Sequence, residues 1–361
     1  MDITEIDKNL KSTAIKETDV VWKNIREKEF SIHGIFYSDE ENHYRRMPKV
    51  IADSVSQGVS ELSTCASGGR IRFVTDSPYI AVKAVIADMP VSSNISLGGQ
   101  SGFSVYADGV FEGNLRPEYT NFNSAKDGKY VFASLAYART GGMRNIEIYT
   151  PLYNRTYEVF VGLKAGSKLL SAKKYSNSLP IVFYGSSITQ GGCASHSGND
   201  YVSMVCRRLN LDFINLGFSG NAKAEPEMVD YLASLKASAM VLDYDFNAPS
   251  VEWLQQTHYP LYKKIRDEQP SVPIIFMTRP NFLYDPKNCI PRREVIYNNY
   301  LRAKANGDEN VWFIDGETLL GTEEWDSCTV DNCHPNDLGF YRMAERVEQT
   351  LRQCLRYDSI K

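Results

Sequence analysis

Near residue 176 the pattern of this chain changes, and that change limits its fold more than any other feature. Upstream, short apolar runs follow one another with almost no helix: Arg70–Thr75, Tyr79–Ile86, Gly102–Ala107, Lys129–Leu135, Arg144–Tyr149 and Val159–Leu163. Asp76-Ser77-Pro78, Asp108-Gly109, Asp127-Gly128 and Gly141-Gly142 separate several of them, and such residues supply the backbone angles that tight turns need. Many short strands with regular turns predict an all-β, jelly-roll-like sandwich. One helical pattern interrupts them. Val50, Ile51, Val55, Val59 and Leu62 give a single apolar face to a helix over 45–63.

Downstream, strands alternate with helices. The strands are Ile181–Tyr184, Phe213–Leu216, Met240–Tyr244, Ile274–Thr278 and Trp312–Ile314. The helices are Asp200–Arg208, Pro226–Leu235, Val251–Glu268, Pro291–Ala305 and Asp337–Leu355, with a kink or break expected at Pro260. This alternation marks a parallel sheet with crossover helices, here a flavodoxin-like three-layer α/β domain. The expected organisation is a lead-in over 1–20, a β-sandwich over 21–175 and an α/β domain over 176–361.

Composition narrows the function. A chain of 361 residues with 43% hydrophobic and 23% charged residues is an ordinary globular protein. Its net charge of -4 leaves no basic footprint for nucleic acid. No run approaches the roughly 18 apolar residues of a membrane span. The opening Met-Asp-Ile-Thr-Glu-Ile-Asp-Lys lacks the basic-then-apolar pattern of a signal peptide, so a cytoplasmic protein is expected. Seven irregularly spaced cysteines do not form a disulfide framework; they read as small buried hydrophobes.

The chemistry lies downstream, at the carboxyl ends of the strands, where open α/β sheets place their ligands. Four loops there carry polar residues: Gly185-Ser186-Ser187-Ile188-Thr189, Gly217-Phe218-Ser219-Gly220-Asn221, Asp245-Phe246-Asn247-Ala248, and Asp331-Asn332-Cys333-His334. A serine hydroxyl is a poor nucleophile until a base takes its proton. His334 can be that base, and Asp331 can hold its ring in the correct tautomer. The amides of Ser187 and Gly220 and the side chain of Asn247 can donate to a developing oxyanion. Asp337 is expected to cap the last helix, which leaves Asp331 free for the histidine.

These four blocks, in this order over about 180–350, resemble the SGNH (GDSL-type) hydrolases, a family of esterases, lipases and acetyl-carbohydrate esterases. The resemblance implies Ser187 as nucleophile, His334 and Asp331 as its partners, and Ser187, Gly220 and Asn247 as the oxyanion hole. Ser186 stands where the family usually has Asp, Ala248 where it has Asp after the asparagine, and Asp245-Phe246 where it has a glycine pair. Upstream, Gly102-Phe103-Ser104-Val105-Tyr106 resembles a Gly-x-Asp-Leu-Tyr signature of a sandwich domain that precedes certain esterases. The layout is similar to bacterial two-domain members.

The expected function is a serine esterase that removes an acetyl or other short acyl group from a carbohydrate, with no cofactor and no metal. The partner is an acylated small molecule, neither nucleic acid nor membrane, and a homo-oligomer is open. Arg279, Asn281 and Phe282, in the loop after the fourth strand, are the expected substrate contacts. The small polar residues Thr189, Gln190 and Ser195 offer no apolar surface to a long acyl chain. Residues 176–361 alone are expected to keep simple esterase activity, with the sandwich setting sugar selectivity. Alternatives are a general short-chain esterase, a silent carbohydrate-binding protein, or a zinc site drawn from Cys193, His196, Cys328, Cys333 and His334. The zinc spacings fit no standard finger or ribbon, and His196 reads as a solvated loop residue.

Overall fold

The computed structural model describes residues 6–7, 15–118 and 127–356; most of the expected lead-in lies outside them. The chain forms two compact units and does not divide at a single point. One unit holds the chain up to Arg46, Thr64–Lys174 and the short stretch Ser195–Gly198. The other holds Met47–Ser63, Tyr175–Ala194 and the chain from Asn199 onward.

Beside a two-stranded sheet that pairs Phe36–Ser38 with His43–Arg45, the first unit is built on two large antiparallel sheets. One runs in the order Val20–Asn24, Thr156–Lys164, Tyr79–Ala87, Lys129–Tyr137. The other runs Leu169–Ser171, Arg70–Thr75, Arg144–Tyr149, Phe103–Ala107, Val110–Leu115, and Ser31–His33 also pairs with Arg70–Thr75. Side chains alternate across a strand. Ile80, Val82, Ala84 and Ile86 therefore face the core from one sheet, and Ile71, Phe73, Val105, Ile146 and Ile148 from the other. Val110–Leu115 is absent from the sequence reading because Glu112, Gly113 and Asn114 interrupt its apolar pattern; pairing with Phe103–Ala107 makes it a strand.

Ser195–Gly198 is gripped by the degenerate Gly-x-Asp-Leu-Tyr motif. Ser197 Oγ donates to the Gly102 carbonyl at 3.0 Å and accepts from the Ser104 amide at 3.1 Å. His196 is not a solvated loop residue: its ring stacks on Phe111 at 4.4 Å, and Nδ1 lies 3.1 Å from Ser104 Oγ.

The second unit is three layers around a five-stranded parallel sheet, ordered Phe213–Gly217, Ile181–Gly185, Ala239–Asp243, Ile274–Met277, Val311–Ile314. Val182 and Tyr184 join one core layer with residues of the helices Pro226–Ser234, Val251–Glu268 and Pro286–Ala305. Phe183 points the other way and meets Tyr201 of the helix Tyr201–Leu209, which stacks near Phe340 of Asp337–Cys354.

Several helix boundaries differ from the sequence reading. Pro260 sits inside an unbroken helix. The fourth helix begins at Pro286, not Pro291, because proline at the first helical position lacks only an amide that has no partner there. The last helix is capped by Asn336, not Asp337: its Oδ1 accepts from the Leu338 and Gly339 amides. The helix expected over 45–63 is two short helices, Lys49–Val55 and Gln57–Leu62, divided at Ser56, whose hydroxyl caps the second. Ala52 and Val59 are buried in the α/β unit's core, whereas Val50 is exposed. A Cβ on Gly58 would lie 2.1 Å from Asn221 Oδ1, so glycine lets the second short helix rest on the loop that carries Gly220.

Candidate active site

Gly185, Gly217 and Asp243 lie level at the carboxyl ends of three adjacent strands. The chain turns sharply after Gly185 into a single helical turn, Ser187–Gln190, capped by the Ser186 hydroxyl on the Ile188 amide at 3.2 Å. A Cβ on Gly217 would lie 2.2 Å from the Gln190 amide nitrogen. Glycine is therefore required for the turn to lie against its neighbouring strand.

Ser187 Oγ lies 2.9 Å from His334 Nε2, and His334 Nδ1 lies 2.8 Å from Asp331 Oδ2. The other carboxylate oxygen, Oδ1, accepts from the amides of Cys333 at 3.1 Å and His334 at 2.7 Å. Burial is the largest single influence on Asp331 and pushes its pKa up; the His334 amide and ring and the Cys333 amide together outweigh it and leave it lowered. The loop closes on itself. The Val330 amide donates to the His334 carbonyl at 3.0 Å, a bridge joins Thr329 to Pro335, and Asn332 takes a left-handed φ of 63°. An anion fixed beside one imidazole nitrogen, with a hydroxyl at the other, can move a serine proton onto the ring.

The loops expected to hold an oxyanion are each pinned. Gly220 has φ +70° with open space where a side chain would stand. The Ser219 amide donates to Gln190 Oε1 at 3.1 Å, and the Ala222 amide to Asn247 Oδ1 at 3.3 Å. That second bond orients the Asn247 amide with its oxygen toward the Gly220 loop. Asp245, in the place of a family glycine, is buried. Its Oδ2 accepts from the Arg279 amide at 3.0 Å and its Oδ1 from Arg292 Nη1 at 3.3 Å. Burial raises its pKa while the Arg279 amide and both guanidinium groups oppose that rise. Arg292 also donates to the carbonyls of Asp245 at 2.7 Å and Ala248 at 2.8 Å, closing the turn around Asn247. Arg292 went unnoticed in the sequence, where it is one arginine among many on a helix.

Thr189 and Gln190 do not line an open loop: both are fully buried and bonded inward. Ser195 lies in the other unit. Arg279, Asn281 and Phe282 are largely enclosed. Arg279 Nε donates to Asn281 Oδ1 at 2.9 Å, its guanidinium lies over Phe246 at 4.1 Å, and Phe282 sits under Arg293 at 5.4 Å. The Arg279 charge also reaches Cys333, whose thiol burial pushes up to about 11 against that charge.

For the zinc reading, ligand atoms of Asp331, Cys333 and His334 lie within 4.8 Å of one another. Both ring nitrogens of His334 already have partners. Cys328 Sγ turns instead to the Glu324 and Leu320 carbonyls, at 3.5 and 3.7 Å, and His196 belongs to the strand-rich unit. No described helix is long and apolar enough to cross a membrane.

Residues 178–352 match the GDSL-like lipase/acylhydrolase family, and residues 20–169 match the N-terminal (GxDLY) domain of SGNH-hydrolase-type esterases. This chain belongs to the GDSL-like hydrolases. The hydrolase is 27% identical to a protein from Bacteroides ovatus described as a GDSL-like lipase, with a TM-score of 0.80 over 93% of this chain and 98% of that one. It shares its fold with a salicylyl-acyltransferase from a tetracycline biosynthetic pathway (19% identity, TM-score 0.74, 94% and 98% covered). The same holds for a family two carbohydrate esterase from Clostridium thermocellum, solved with cellohexaose (16%, TM-score 0.61, 91% and 100% covered). An acetyl xylan esterase from Butyrivibrio proteoclasticus is also similar in fold (14%, TM-score 0.58, 94% and 100% covered). No curated protein matches the sequence.

Proposed function

We propose that this hydrolase is a serine esterase that removes a short acyl group, acetyl foremost, from a carbohydrate. The observation that carries the reading is the unbroken chain of hydrogen bonds from Ser187 Oγ through His334 to Asp331. Ser187 Oγ attacks the ester carbonyl as its proton passes to His334 Nε2, and Asp331 stabilises the imidazolium. The amides of Ser187 and Gly220 and the Asn247 side chain hold the oxyanion. Collapse breaks the ester C–O bond, and His334 returns the proton to the leaving alcohol. A water, deprotonated by the same histidine, then releases the acid and restores Ser187.

Two things support the carbohydrate. Relatives of the same two-part fold include an acetyl xylan esterase and a carbohydrate esterase solved with a glucan chain. Beside the Asn247 turn, Phe246 is only partly buried and carries the Arg279 guanidinium over its ring, and an aromatic side chain next to hydrogen-bond donors suits a sugar ring.

The test is initial rates on p-nitrophenyl acetate, butyrate and octanoate beside acetylated xylo-oligosaccharides. Acetate and the acetylated sugar should be preferred, and Ser187→Ala should lower every rate by about 10³-fold or more. A preference for octanoate removes the carbohydrate reading. More than a tenth of the parent rate in Ser187→Ala removes the nucleophile, and Ser186 becomes the candidate.

A further inference from the structure

Beneath the Ser187 turn lies a carboxylate that the mechanism above does not use. Asp243 ends its strand level with Gly185 and is 2% exposed. Its Oδ2 accepts from Thr189 Oγ1 at 2.8 Å and from Tyr201 OH at 3.0 Å, and those two hydroxyls are 3.3 Å apart. Thr189 and Tyr201 are fully buried. Thr189 stands two residues from Ser187 on the same single turn. A Cβ on Gly185 would lie 2.1 Å from Thr189 Oγ1 and 2.6 Å from the Asp243 carbonyl oxygen, so the close approach is built into the backbone. We propose that Asp243 is a positioning residue for the nucleophile: through Thr189 it seats the Ser187 turn on the end of the sheet, with Tyr201 completing the seat.

The proposal rests on the reading of Ser187 as nucleophile. A turn of four residues has little intrinsic stability, so its place must be set by what it is bonded to. Ser186, where the family usually has an acid, turns its hydroxyl to the Ile188 amide of its own turn. The buried acid comes instead from the neighbouring strand. Burial pushes the Asp243 carboxyl up while the Thr189 and Tyr201 bonds pull it down. A hydrogen bond in such an interior is stiffer than one in water. Reacting groups displaced by about 1 Å lose roughly 10²-fold in rate.

The experiment compares kcat, KM and the rate of Ser187 phosphonylation by an alkyl fluorophosphonate in folded variants. Thr189→Val, which keeps shape and loses the hydroxyl, should lower kcat and phosphonylation about 10- to 100-fold with KM nearly unchanged. Thr189→Ser should recover most of the loss. Asp243→Asn keeps an acceptor but cannot carry the charge, and assayed at about pH 8 to 8.5, where the parent carboxyl is ionised, it should lower kcat by about three- to tenfold. In the double variant the two losses should not multiply, because the residues act as one unit. The proposal is overturned if Thr189→Val keeps kcat and phosphonylation within twofold, or changes only the melting temperature. It is also overturned if Asp243→Asn keeps the parent kcat, which decides the matter even where Thr189→Val does not fold. Ser187→Ala separates this from the reading beneath it: phosphonylation that survives that change sinks the nucleophile itself, whatever Thr189 does.

Discussion

Ser187 and His334 meet from two loops built in opposite ways. The His334 loop is local. Asp331 Oδ1 takes amides two and three residues ahead, and the bridge from Thr329 to Pro335 closes it. The Ser187 turn is held from a distance, by Asp243 under Thr189, by Asn215 Nδ2 on the Thr189 carbonyl at 2.7 Å, and by Ser219 on Gln190. A local loop survives or fails with its own few residues. A turn seated by three other segments survives only while the whole sheet edge is assembled.

The largest expected effect breaks the distant side outright. Residues 176–361 alone lack Met47, Ala52 and Val59, which are buried in the α/β core. Removing apolar side chains from a core costs about 2–5 kcal/mol each, against a total stability of roughly 5–15 kcal/mol. That piece should therefore give no cooperative unfolding transition in urea and no esterase activity, contrary to the expectation from sequence. Adding 47–63 back as a peptide should restore part of both; a fully active 176–361 would show that the short helices are dispensable.

Next comes the local side. Asp331→Asn keeps the loop's shape and removes the anion, so kcat should fall by about 10⁴-fold with the melting temperature little changed. Equal loss of stability and activity would show that the loop is no more self-contained than the turn. Asn247→Ala should lower kcat by about 10²–10³-fold at nearly constant KM. A raised KM with kcat intact would make Asn247 a substrate contact and leave the oxyanion to the two amides.

A smaller effect is read through pH. Burial holds the His258 imidazole down at about 3 and pushes Asp243 up to about 7. Between about pH 3 and 6.5 the unfolded chain binds the proton that folded His258 refuses, so this group lowers stability as pH falls. Between about pH 4 and 7 the folded chain keeps a proton that unfolded Asp243 releases, so this group lowers stability as pH rises. The two slopes oppose each other over about pH 4–6.5. Calorimetric melting of Asp243→Asn should show a pH slope of stability more positive than the parent's across that window, and His258→Asn a slope more negative than the parent's. Parallel profiles in the two variants would refute both assignments. The smallest effect is expected at Asn336→Ala, which removes the cap directly after the His334 loop and should cost about 1 kcal/mol in urea unfolding, with kcat within a few fold.

How much was legible follows the same division. That Ser187, His334 and Asp331 come together, as their hydrogen bonds show, could be expected from sequence because each stands in a short block: a strand that ends in Gly-Ser-Ser, and a carboxylate three residues before a histidine. Alternation of strand and helix was enough for the order of the α/β layers, since each period reflects which face of an element is apolar. Apolar periodicity cannot say which core an amphipathic helix joins. Nothing in Val55, Val59 or Leu62 distinguishes the face of a sandwich from the face of an α/β sheet, and the two short helices went to the second. Nor could it show that Thr189 and Gln190 turn inward, or that Asp243, Arg292 and Asn215 hold the site. Each is a polar residue whose partner lies more than 20 residues away in the chain. By itself the sequence determined the local grouping of polar residues and the layering, because both are set by neighbours along the chain. Only the tertiary structure decided which residues bond to the Ser187 turn, because a buried polar group has no defined partner until folding brings one to it.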